Sequence, residues 1–229
     1  IALSNATLSN LGNNATLTYT IEDQDPTPSI TFDDGAPSDN ENDDASPDLT
    51  IRLSAVSGRD VIIPYKDSTP DDGASGDGSD YSLTESSVTI SAGTDPPVGT
   101  ISFTVVPDEK YEEDQEVTID LDTENLTNAT AGNTTRAVYT ILNDDDPPVV
   151  QFTALNSEAT ESEGTTSVEI SLSAASEIPV LVTVADNGIG TADAGEDEDY
   201  TVDTGNKTIA VEESSVSFDV TLVDDEEDE

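Results

Sequence analysis

Hydrophobic and polar residues alternate along this chain in short runs. They include Leu49-Thr-Ile-Arg-Leu-Ser54, Val88-Thr-Ile90, Thr100-Ile-Ser-Phe-Thr-Val105 and Val117-Thr-Ile-Asp-Leu121. The pattern returns in Val168-Glu-Ile-Ser-Leu172 and Val216-Ser-Phe-Asp-Val-Thr-Leu222. Successive side chains of a strand point to opposite faces, so a period of two marks a strand with one face buried. The runs are rich in Val, Ile and Thr, whose branched side chains suit a pleated surface. Gly, Pro, Asp and Ser separate them, and no segment carries a helical stripe. Short strands with turns between them predict an all-β chain of antiparallel, immunoglobulin-like β-sandwiches.

The strands repeat. Phe32 closes Pro28-Ser-Ile-Thr-Phe32, and Phe152 closes Pro148-Val-Val-Gln-Phe152, 120 residues on. Tyr19-Thr-Ile21 returns as Tyr139-Thr-Ile141, Asp80-Tyr81 as Asp199-Tyr200, and Val105-Val-Pro-Asp-Glu109 as Leu222-Val-Asp-Asp-Glu226. A spacing near 120 suits one sandwich per repeat. Ile1-Ala-Leu3 matches Ile119-Asp-Leu121, which lies late in the repeat. The expected division is therefore residues 1–26 as the last two strands of one domain, 27–146 as a complete domain, and 147–229 as a domain lacking its last two strands. Two strands make no stable core, and an open sheet edge invites another strand. Residues 1–26 are thus expected to complete 147–229 of a neighbouring unit, in a longer tandem chain or between separate chains. Either arrangement propagates head to tail.

Charge narrows the partners. The 229 residues carry 51 acids and six bases, a net charge of −45. Nucleic acid needs clustered Lys and Arg and is excluded; anionic membrane surfaces are disfavoured. No apolar run approaches the roughly 20 residues of a membrane span, so insertion is not expected. Multivalent cations, water and salt are the natural partners. With 33% hydrophobic and 4% aromatic residues, each core must be small. There is no Cys to staple it. The chain opens on Ile1 rather than Met, and the expectation is a processed form or a piece of a longer polypeptide.

Residues 107–116 hold six carboxylates between two predicted strands. At this density acids repel one another unless they are solvated or share a cation. The stretch Pro107-Asp-Glu-Lys-Tyr-Glu-Glu-Asp-Gln-Glu116 resembles the acidic loop of Calx-β domains, calcium-binding β-sandwich modules of sodium–calcium exchangers, integrin β4 and bacterial surface proteins. Arg59-Asp-Val-Ile-Ile-Pro-Tyr-Lys66 is similar to a strand of an exchanger domain. The resemblance implies Ca²⁺ as the cofactor, held by clusters from separate loops. In the complete domain these are Glu41, then Asp80, then Asp108, the Lys110 carbonyl and Glu112, and finally Asn143, Asp144 and Asp145. Pro107, Gln115 and Asn143 stand where the family pattern has acids. In the following copy the corresponding residues are Glu161, Asp199, Asp224, Asp225 and Glu229, with Asp23 and Asp25 as the terminal cluster supplied by a neighbour. No loop of the EF-hand type, with acids at fixed offsets around a Gly, is present.

N-glycosylation sequons begin at Asn5, Asn14, Asn125, Asn128, Asn133 and Asn206. All but Asn206 fall in the predicted turn between the last two strands of a repeat. They point to a glycan-bearing extracellular or cell-surface location. Catalysis is not expected: there is no His or Cys to serve as general base or thiol nucleophile, and no Trp for a carbohydrate cleft. Tyr81 and Tyr200 read as core anchors. The expected function is an extracellular structural repeat protein, forming a head-to-tail filament or an adhesin stalk that calcium stiffens at domain junctions. The alternative is an adhesin or ligand-binding module whose sandwich loops meet a host or carbohydrate partner.

Overall fold

A computed structural model describes residues 1–33, 37–42, 46–70, 80–189, 192, 194 and 199–224. Two sheets enclose the first core. One is ordered β10 (Thr130–Ala131), β1 (Ser29–Phe32), β3 (Asp48–Leu53) and β7 (Val98–Ser102). The other runs β2 (Ser38–Asn40), β11 (Arg136–Leu142), β9 (Gln115–Leu121), β4 (Val61–Asp67) and β6 (Ser86–Ile90). β5 (Tyr81–Ser82) and β8 (Thr104–Val105) pair beside them. Alternation does what it predicts: in β3 the side chains of Leu49, Ile51 and Leu53 are buried while Thr50 and Arg52 are half-buried. Eighteen buried hydrophobic residues, from both sheets, from the β5–β8 pair and from Phe103 just before β8, form one continuous core.

Two pairings are parallel, contrary to a purely antiparallel expectation. β1 pairs β10, and β2 pairs β11 with Leu142 opposite Asn40. The first strand switches sheets between Phe32 and Ser38, so its second half lies along β11 at the far edge. Period-two alternation reports which face is buried, not the direction of the neighbour.

Gly132 sits where this edge is tightest. Its amide donates to the Ile30 carbonyl at 2.8 Å, and a Cβ there would lie 2.3 Å from the same oxygen. Gly132→Ala is expected to destabilise the first domain by roughly 2 kcal/mol, as a forced backbone shift in a packed sheet does. Urea unfolding of the variant measures it.

Tyr81 is fully buried in this core and packs edge-on against Phe103, which packs edge-on against Tyr139. Its hydroxyl donates to Asp67 at 2.5 Å and meets Thr69 at 2.9 Å, and Thr69 in turn accepts from the Thr118 amide. The phenol is pushed up to about 12, first by burial and then by the Asp67 carboxylate. Tyr81 is thus a core anchor as expected; Tyr200 repeats the hydroxyl bond, to Asp186 at 2.9 Å, but is half-buried and lies outside the second core.

The second domain is built alike but is thinner. β12 (Val150–Phe152), β13 (Thr165–Leu172), β17 (Ser215–Leu222) and β15 (Tyr200–Val202) form one sheet. Opposite it lie β14 (Val180–Val184) and β16 (Gly205–Ile209). Val61 pairs Ile90 as Val180 pairs Ile209, so β14 corresponds to β4. β4 also pairs β9; among the described residues nothing pairs that edge of β14. The consequence is a core of five buried residues, with Phe152 55% exposed.

Residues 1–17 form a hairpin with no core. Ala2 bridges Thr16, and Ile1 and Leu17 exchange backbone bonds. By the repeat, Ala2 stands for Asp120 and Thr16 for Arg136, which pair in β9 and β11, so the hairpin has their register. Its apolar positions are solvent-facing: Ile1 is 84% exposed, Tyr19 75% and Ile21 86%. Their counterparts Ile119, Tyr139 and Ile141 are buried. Among the described residues no helix is long and apolar enough to cross a membrane.

Candidate metal centre

The parallel pairing of β2 with β11 sends both strands out at one end of the first sandwich. Glu41 follows β2, and its amide donates to the Leu142 carbonyl at 3.1 Å. Asp145 follows β11. Asp108, in the loop after β8, donates its amide to Glu41 Oε2 at 3.3 Å. One carboxylate oxygen from each of Glu41, Asp108 and Asp145 lies within 4.8 Å of the others. Among the described residues this is the one acidic group that close.

Glu41 is only 3% exposed, and its Oε1 has no hydrogen-bond partner; nor does the buried Oδ2 of Asp145. Burial, followed by the charges of Asp108, Asp145 and Asp144, pushes the Glu41 carboxyl up to about 7, against the Asp108 amide. Asp145 is raised by burial first and then by Asp144, Asp108 and Glu109. Orphaned, dehydrated carboxylates are costly without a compensating charge. All donors are oxygen, which selects a hard cation. Oxygens bound to one Ca²⁺ at 2.3–2.6 Å lie no more than about 5 Å apart, so the spread fits a single ion.

The other expected ligands serve around this group. Asn143 Nδ2 donates to the Asp145 carbonyl, and its Oδ1 accepts from the Asp145 amide at 3.3 Å. It therefore positions Asp145. Asp144 accepts from Asn42 at 2.8 Å. The Asp80 carbonyl accepts from the Val106 amide, tying it to the base of the loop.

Lys110 and Glu112 face the second domain. The Lys110 ammonium contacts Glu212 at 2.7 Å, Glu177 at 3.1 Å and Asp108 at 3.5 Å. Its bonds to Glu212, then Glu177, hold it charged well above the ordinary lysine range. Beside it the Tyr111 carbonyl accepts from the Ser176 hydroxyl at 3.0 Å and the Glu177 amide at 3.1 Å. Glu112, 7% exposed, accepts from Gln115. Burial and then Glu177 push its carboxyl up to about 8. Glu177 and Glu212 escaped sequence reasoning because no local pattern marks a residue whose partner is a whole domain away.

In the second copy Glu161 begins a single 3₁₀ turn, Glu161–Glu163, and Asp224 is exposed. The Asp199 carbonyl accepts from the Val223 amide. Asp225 and Glu229 lie outside the described residues. Asp23 and Asp25 are exposed and share an amide-to-carboxylate bond of 3.1 Å, against the turn at residues 56–59. All six sequon asparagines are exposed. Two already use their side-chain nitrogen: Asn125 donates to Asp122 at 2.6 Å and Asn128 to the Asp60 carbonyl at 2.8 Å.

A family model described as the Calx-beta domain matches residues 23–145 and again 143–229. No curated protein matches the chain in sequence. Among solved structures, CBD12 from CALX1.2 is similar at 19% identity and a TM-score of 0.46, over 87% of this chain and 76% of that one. The calcium binding domain CBD12 of CALX1.1 gives 20% identity and a TM-score of 0.45, over 83% and 74%. A two-domain protein from Bacteroides fragilis gives 8% identity and a TM-score of 0.39, over 86% and 84%. With two adjoining matches that take in most of its length, the chain belongs to the Calx-beta domain family.

Proposed function

We propose that this chain is a calcium-binding structural module, non-catalytic, whose units join head to tail in an extracellular filament or adhesin stalk. The observation that carries the calcium part is the pair of buried, unpartnered oxygens on Glu41 and Asp145, facing Asp108. Ca²⁺ would supply the missing charge. The site lies where the chain leaves β11 for the second domain. The loop that provides Asp108 also provides Lys110 and Tyr111 to the joint. An ion that fixes this loop therefore fixes the joint, whereas unscreened acids push it apart.

The assembly part rests on complementary defects. Among the described residues β14 has an unpaired edge beside a shallow core, and residues 1–17 form an uncovered hairpin in the register of β9 and β11. One unit's hairpin would close the next unit's second domain. Exposed sequon turns support a glycan-bearing surface location.

Small-angle scattering and electron micrographs in calcium and in EGTA test the proposal. The chain is expected to form uniform fibres in calcium and to lose stiffness in EGTA. Deleting residues 1–26 should abolish the fibres and leave calcium binding by the first domain intact. Equal stiffness in both conditions removes the ion from the mechanism. A compact monomer at every concentration removes the filament.

A further inference from the structure

The joint between the two domains has an unused twin. The turn of the second domain that sits on the acidic loop contains Ser176 and Glu177; at the 119-residue spacing its counterparts are Ser57 and Gly58. The two turns are built alike. The Ile178 amide donates to Ser176 Oγ at 3.1 Å, and the Arg59 amide to Ser57 Oγ at 3.1 Å. The Glu212 amide donates to the Ser176 carbonyl at 3.0 Å, and the Gly93 amide to the Ser57 carbonyl at 2.8 Å. Glu212 and Gly93 share the left-handed conformation, at φ 67° and 74°.

Only the outward bonds differ. Ser176 Oγ and the Glu177 amide both donate to the Tyr111 carbonyl. Ser57 Oγ instead turns back to the Arg59 carbonyl at 2.7 Å, and among the described residues nothing accepts from the Gly58 amide. Ser176 is buried by its joint, whereas Gly58 and Arg59 are exposed.

The charges at the two seats differ, although Asp23 and Asp25 of the same chain line the pocket beside Arg59 at the second. Within the chain a basic loop residue, Lys110, meets acidic Glu177 and Glu212. At the twin seat both acids are replaced, by Gly58 and Gly93, and Arg59 stands in place of Ile178. The loop's sequence repeats too, 117 residues on. Glu227 takes the place of Lys110 and is followed by Asp228 and Glu229, all outside the described residues.

We propose that the turn at residues 56–59 is the seat for the acidic loop around Glu227 of a second copy of this chain, repeating the internal joint with its ion pair reversed. The inference rests on the head-to-tail reading above and names its contact. The reversal would also favour register: the Lys110 loop matches the acidic turn of a second domain, and the Glu227 loop the basic turn of a first.

Sedimentation of the full chain in calcium tests this. Arg59→Glu, and separately Glu227→Lys, should raise the concentration needed for assembly by about tenfold, the scale of one lost charge pair. The double variant should recover the original threshold. Because the chain has no cysteine, Gly58→Cys with Glu227→Cys should give a ladder of disulfide-linked multimers. Unchanged thresholds in both single variants, or monomers alone on the non-reducing gel, overturn the seat. If deletion of residues 1–26 still abolishes assembly in that case, the head-to-tail reading survives without it. If the unaltered chain never assembles, both fall.

Discussion

Glu41→Gln raises the melting temperature of the calcium-free first domain at pH 8 and abolishes the further rise that calcium gives the unaltered protein. The sign follows from burial. The Glu41 carboxyl stands at about 7 in the folded chain against an ordinary 4.5. Between those values the folded state binds the extra proton, so ion-free stability is full below about pH 4.5 and is lost as pH rises through about 7. Glutamine fills the same space and has no charge to lose. At pH 8 the variant should lead by about 2 kcal/mol, since each unit of displacement is worth about 1.4 kcal/mol and the site relaxes in part. At pH 4.5 the two proteins should melt alike.

Calcium reverses the order. The ion needs the carboxylates deprotonated, so it should stabilise only the unaltered protein, release protons on binding near pH 7, and bind more weakly below it. Glu112, at about 8, extends the same dependence upward. Differential scanning calorimetry across pH, with EGTA and with calcium, reads every arm. A calcium-free Glu41→Gln protein less stable at pH 8 would mean that Glu41 is already satisfied and that no ion is required.

Hydrogen exchange should distinguish the two domains. Amides of β9 and β11 lie inside a five-stranded sheet over the larger core. Those of β14 and β16 form a two-stranded ribbon over five buried residues. The ribbon should exchange about a hundredfold faster, equivalent to an opening free energy lower by about 3 kcal/mol. A synthetic peptide of residues 1–25, added in excess, should slow exchange in β14 and leave β4 unchanged, because β4 already has β9 on that edge. A peptide that protects nothing in the second domain would show that the hairpin does not seat there.

Strand positions and the repeat were legible because both depend on local alternation and spacing. β3, β9, β13 and β17 each fall on a run whose pattern alone marks them. The gathering of Glu41, Asp108 and Asp145 was legible through the family resemblance, which orders the acidic loops; alternation by itself would not have joined them. The roles of Asn143 and Lys110 were not legible. Asn143 holds Asp145 through its amide, and Lys110 reaches into the second domain with its ammonium. Both depend on where the chain returns after a hundred residues or on how a joint packs, and no local pattern encodes either. The parallel edges of β1 and β2 escaped for a related reason: a strand's sequence records its buried face and not its neighbour's heading.

The unequal cores have a mechanical consequence for an array under tension. In the proposed array load would pass through every unit in series, and the second domain, whose own chain buries only five core residues, would yield before the first. Its 83 residues, 147–229, would pay out a tether of up to about 290 Å at roughly 3.5 Å per residue. The weak domain would then act as a shock absorber, extending while the stronger sandwiches stay folded.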